Sequence, residues 1–124
     1  MVTLGPLDFV TVQVRDWPLM VAWYRDVLGL EIVSLEEADR FCLFTTGEGG
    51  TMIALASDHP EQSTATGENR LAPGFRVSDL DATLRRLRSA GVRIYADIDG
   101  ADEGYRLARI WDPEGNRLHL YHYL

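Results

Sequence analysis

Hydrophobic positions change their spacing several times along the chain, and the changes mark out its elements. From Leu7 to Val14 they alternate, so Val10, Val12 and Val14 share one face of an extended segment and Phe9, Thr11 and Gln13 the other. Asp16 then predicts a helix N-cap, with Pro18 accommodated in the first turn. Met20, Trp23 and Val27 follow helical spacing, which places Trp23 in the core, and Gly29 supplies a left-handed stop. Leu30–Leu35, Phe41–Thr46 and Thr51–Ser57 read as strands, the last two joined by the turn Gly47–Gly50. A polar stretch follows, predicting a linker over 58–70.

Beyond residue 71 the pattern returns. Val14-Arg15-Asp16 is echoed by Val77-Ser78-Asp79, 63 residues later (14 to 77). Thr51–Ala56 is echoed by Asn116–Tyr121, 65 residues later (54 to 119). Asp79 predicts a second N-cap, Leu80, Leu84 and Leu87 a helical stripe, and Gly91 its stop. Val92–Ala96, Tyr105–Trp111 and Asn116–His122 complete the strands, with a strong turn at Asp112–Asn116. The order is βαβββ twice: repeat one over 1–57, the linker, and repeat two over 71–124. This is a single α+β domain, and two such units can curl around a shared cavity.

Composition narrows the function classes. A chain of 124 residues with 46% hydrophobic and 25% charged residues has an ordinary globular balance. No apolar run is long enough for a membrane span, and no basic, apolar leader stands at the start, so the expected location is the cytoplasm. The net charge of −7 argues against nucleic-acid binding. All 12 basic residues are arginine, which removes lysine-based Schiff-base chemistry. The single cysteine, Cys42, lies in an apolar run and reads as a small core residue.

Trp23–Leu30 (WYRDVLGL), the turn Asp112-Pro113-Glu114-Gly115-Asn116 and the two Val-x-Asp junctions resemble the vicinal oxygen chelate superfamily, the group of glyoxalase I, bleomycin-resistance proteins and extradiol dioxygenases. The resemblance spans almost the whole chain and implies curved mixed sheets around a cavity, and a homodimer. In the family's metal enzymes, four inward side chains hold a divalent metal. The likeness places them at Phe9, Ala54, Ala72 and His119. Only His119 can ligate a metal, so the expected cofactor is none. His59 lies in the linker, and His122 has the opposite parity to His119.

Read by parity, the cavity face carries Phe9, Thr11 and Gln13, then Met52, Ala54 and Ala56. From the second repeat it carries Gly74 and Arg76, then Arg117, His119 and Tyr121. An apolar floor with a few polar groups suits a small organic molecule. Arg76 and Arg117 suit a carboxylate or phosphate, or an ion pair with an acidic residue of the chain. Trp17 and Trp111 are candidates for the cavity mouth, and Ala54→Trp is expected to fill the cavity with little loss of fold. His119 is the candidate catalytic base, so a lyase, isomerase or dioxygenase-like activity, with or without a metal, stands beside simple binding.

Overall fold

The computed structural model of the protein describes residues 2–62 and 71–124. It is an α+β fold of two tandem units, Met1–Ser63 and Thr64–Leu124. Of the predicted linker, residues 63–70 lie outside the described residues, and Pro60–Gln62 form a short 3-10 turn.

The first unit runs β1 (Phe9–Gln13), α1 (Trp17–Asp26), β2 (Glu31–Glu36), β3 (Phe41–Thr45) and β4 (Met52–Ala56). The second runs β5 (Gly74–Arg76), α2 (Leu80–Ser89), β6 (Ile94–Gly100), β7 (Tyr105–Trp111) and β8 (Arg117–Tyr123), with a 3-10 turn at Ala101–Glu103. The sheets have the same plan. Orders are β1-β4-β3-β2 and β5-β8-β7-β6, and the first and last strands of each unit pair in parallel.

Register confirms the duplication at single-residue level. Thr11 pairs with Ala54 in the first unit and Gly74 with His119 in the second, and these are the same two positions under the sequence echoes. The irregularities repeat as well. A bulge between Ile32 and Ser34 on β2 has its counterpart between Ile94 and Ala96 on β6.

One face of each sheet is covered by the unit's own helix. Val12, Val14, Cys42, Phe44, Ile53 and Leu55 are buried with Trp17, Met20, Val21 and Tyr24 of α1. The Trp17 indole donates to the Leu55 carbonyl at 3.1 Å, and the Tyr24 and Phe44 rings lie 6.1 Å apart. Two expectations about tryptophan are corrected here. Trp17 is core, only 5% exposed, rather than at a cavity mouth. Trp23 is half-buried, and Tyr24 takes the central place, because the buried stripe runs through 17, 20, 21 and 24.

In the second unit Leu80, Leu84 and Leu87 of α2 are buried, as are Ala108, Ile110, Leu118 and Leu120 of the sheet. Asp16 and Asp79 cap their helices, accepting from the amides of Leu19 and Ala82. Cys42 is fully buried, and burial pushes its thiol up to about 11, so it stays protonated at neutral pH. One strand expectation also changes: β6 extends to Gly100, past the expected end at Ala96. β5 begins at Gly74; Pro73 has no N–H for the ladder, although its carbonyl accepts from the His119 amide at 2.8 Å.

Candidate functional site

The residues of chemical interest lie on the sheet faces turned away from the helices. In the first unit, cross-strand partners put Phe9 beside Met52, Thr11 beside Ala54, and Gln13 beside Ala56. Leu43 flanks Ala54 from β3 and Phe41 flanks Ala56. This face is apolar and lacks charge along β1 and β4. Phe9 is 48% exposed, whereas Ala54 is fully buried. The expectation that Ala54 tolerates tryptophan is therefore corrected: an indole between Thr11 and Leu43 would overpack a filled position. Gln13 is occupied locally. Its Oε1 accepts from the His59 amide at 3.0 Å, and its amide bonds Asp58, which holds that carboxyl below the usual range.

The equivalent face of the second unit is different in character. Arg76 lies beside Tyr121, His119 beside Arg109, and Arg117 beside Trp111. Leu107 and Tyr105 continue the row on β7, opposite Tyr121 and Tyr123. Trp111 stacks on Tyr95 with centroids 4.3 Å apart. Tyr95 is the extra residue of the β6 bulge, and bulges commonly redirect a side chain in this way. Tyr121 lies edge-on to His119 and parallel to Tyr123, and Arg76 sits 5.1 Å over the Tyr123 ring. The result is a belt of rings interleaved with guanidinium groups.

Acidic side chains of β6 avoid this face. Asp97 and Asp99 pair with Ala108 and Arg106, on the helix side of the sheet. There Arg106 bridges Asp81 of α2 at 2.9 Å and Asp97 at 3.3 Å. His122 also points to the helix side, where its Nδ1 lies 3.1 Å from the Val77 carbonyl. His119 is half-buried. Burial first, then the charges of Arg109 and Arg117, lower its pKa from the ordinary 6.5, so the ring is neutral at physiological pH.

The family model for the Glyoxalase/Bleomycin resistance protein/Dioxygenase superfamily matches residues 7–120. The chain belongs to this superfamily. A curated relative, the uncharacterized protein YraH of Bacillus subtilis (strain 168), is 27% identical over 120 residues, covering 90% of this chain and 94% of its own. A superfamily member from Sphaerobacter thermophilus superposes with a TM-score of 0.79 at 21% identity, over 96% of this chain and 98% of that one. An antibiotic binding protein from Streptomyces sp. CB03234 gives 0.80 at 20% identity, over 100% of both chains. The fosfomycin resistance protein FosX from Listeria monocytogenes gives 0.77 at 14%, over 98% and 96%. These structures share the glyoxalase-superfamily fold with this chain.

The residues that the resemblance assigns to metal-ligand positions do not fit a divalent cation. In the first unit Phe9 and Ala54 offer no lone pair. In the second, Ala72 lies ahead of β5 and offers none, and His119 faces the positive charge of Arg109 across the strand pair. Among the described residues, no three His, Cys, Asp or Glu side chains gather in a group that could hold a metal. Arg109 and Tyr95 of this belt are among the residues absent from the sequence-level candidates. Arg109 was within reach of parity, since it shares a face with Trp111 two residues on. Tyr95 was not, because its orientation depends on the bulge.

Proposed function

We propose that this superfamily member binds a small, partly aromatic organic molecule without a metal, in the manner of a sequestration or resistance protein, as a cytoplasmic homodimer. One observation carries the reading. The sheet faces to which the resemblance assigns metal ligands hold rings and guanidinium groups in the second unit and, in the first unit, Phe9 and Ala54. Rings recognise planar ligands by stacking, and a few polar groups set orientation. The proposed ligand-contacting residues are Arg76, Arg117, Trp111 and Tyr121 on the face of the second unit and, considered by itself, Phe9, Thr11 and Met52 on the face of the first. The antibiotic binding protein and the fosfomycin resistance protein named above support a binding or resistance role by fold alone.

The test has two parts. Protein purified without chelator is expected to carry only substoichiometric zinc, iron, manganese or nickel. A chemically diverse thermal-shift screen is expected to return aromatic stabilisers. Stoichiometric metal that disappears in His119→Ala would overturn the metal-free reading.

The neutral state of His119 favours one second reading, a lyase, isomerase or oxygenase-type reaction with His119 as base. Turnover that is lost in His119→Ala while ligand affinity is retained would select it.

A further inference from the structure

Among the described residues, Arg109 is a charged group whose placement the fold alone does not explain. Its Nε is shielded from solvent, and no acceptor meets it among the described residues. Arg106, three residues earlier on the same strand, shows the ordinary alternative, with two carboxylates on the helix side. A shielded donor left without an acceptor is costly, and native structures seldom tolerate one without a reason. The chain has 19 acidic residues, yet none stands on the strand positions that share a face with Arg109.

The neighbours define what would meet this donor. Arg109 lies directly across from His119, and Arg117 lies two residues before His119 on the same face, across from Trp111. Arg109 and Arg117 are thus diagonal neighbours, which puts their backbones about 7–8 Å apart. Two forked guanidinium groups at that spacing can converge on one oxyanion through paired N–H donors. The stack of Trp111 on Tyr95 and the edge of Tyr121 adjoin them, so a flat apolar body can lie beside the charged end.

We infer that the ligand of this face carries an oxyanion, held by Arg109 and Arg117 beside His119, with an aromatic or otherwise planar body along Trp111 and Tyr121. This rests on the small-molecule reading above and deepens it, by naming the ligand's charge and the residue that selects it. His119 then reports occupancy. Its neighbours on this face are Arg109 on β7, Arg117 and Tyr121 on β8, and Arg76 diagonally on β5, and an anion between Arg109 and Arg117 offsets the positive field acting on the ring. Binding is therefore accompanied by a rise in the pKa of His119.

The experiment compares two isosteric probes, 2-naphthoate and 2-naphthamide, by calorimetry and by NMR of the His119 ring. Naphthoate is expected to bind at least about tenfold more tightly than the amide, from a single charge-assisted contact. It should also raise the His119 pKa, and Arg109→Leu should abolish the preference. Arg109→Lys should retain part of it, since the charge remains without the fork. Equal binding of the two probes, or naphthoate binding that leaves His119 unmoved, overturns the oxyanion inference while the small-molecule reading stands. A screen that returns no ligand of any charge sinks both. Should Arg109→Leu fail to fold, the two probes on the wild-type protein decide the matter.

Discussion

Arg106 and Arg109 stand on one strand, and the two-residue alternation of β7 sends them to opposite faces. Arg106 bridges Asp81 and Asp97, while Arg109 instead presses its charge on His119. That contrast has a consequence for stability. The folded pKa of His119 lies below its unfolded value of 6.5, so the unfolded chain binds more protons in the window beneath 6.5. The contribution of His119 is therefore fully present above that value and is lost as pH falls through the folded pKa. Thermal unfolding followed from pH 7.5 downward is expected to show this loss, and His119→Gln should reduce it. An unchanged slope in the variant would remove His119 as the source. Gly74 gives a second prediction at this scale. A Cβ there would stand 2.9 Å from Tyr121 Cε2, so Gly74→Ala must displace that ring. The fold should survive, because a ring edge can give way. The NMR shifts of the His119 ring, now edge-on to Tyr121, should move. The positions of His119 and Tyr121 were legible in the sequence because β8 alternates without interruption. Arg109 was equally regular, but no motif drew attention to it.

At the scale of elements, both helices were legible from their ends and less so from their middles. Asp16 and Asp79 act as caps where the sequence predicts them, and Asp79→Ala is expected to cost about 1 kcal/mol. That corresponds to a fall of about 4 °C in Tm for a domain of this size, measurable by calorimetry. The assignment of Trp17 failed for a physical reason. A residue at the first turn of a helix can lie over the adjacent sheet when its N–H finds a strand carbonyl, and periodicity carries no trace of that bond. Trp17→Phe should therefore be more damaging than its conservative chemistry suggests. The loss is about 1–3 kcal/mol, from a buried bond broken with the Leu55 carbonyl left behind. A loss near zero in denaturant unfolding would mean the indole N–H contributes little. The paired bulges on β2 and β6 were also invisible in sequence, since one extra residue looks like ordinary alternation with a slip. Their effects differ. On β2 the extra residue, Val33, is left exposed, while on β6 it is Tyr95, set against Trp111.

The whole molecule sets a charge problem that the local site must overcome. A net charge of −7 opposes an approaching anion, yet the arginine belt attracts it at contact. The two effects act over different distances. At low ionic strength, about 0.01 M, the Debye length is about 30 Å, so an incoming ligand meets the summed negative field of the chain. At about 0.15 M it shrinks to about 8 Å, and the nearby guanidinium groups dominate. The association rate of an anionic aromatic such as 2-naphthoate should therefore rise as salt is added from low ionic strength. The dissociation rate should rise too, because the charge-assisted contacts are partly screened, leaving the equilibrium constant less salt-dependent than either rate. A neutral isostere should show neither trend. Stopped-flow fluorescence across a sodium chloride series measures both rates. An association rate that falls with salt would mean that the ligand approaches through a locally positive field reaching farther than the arginine belt, and that the acidic surface plays no part in selecting what arrives.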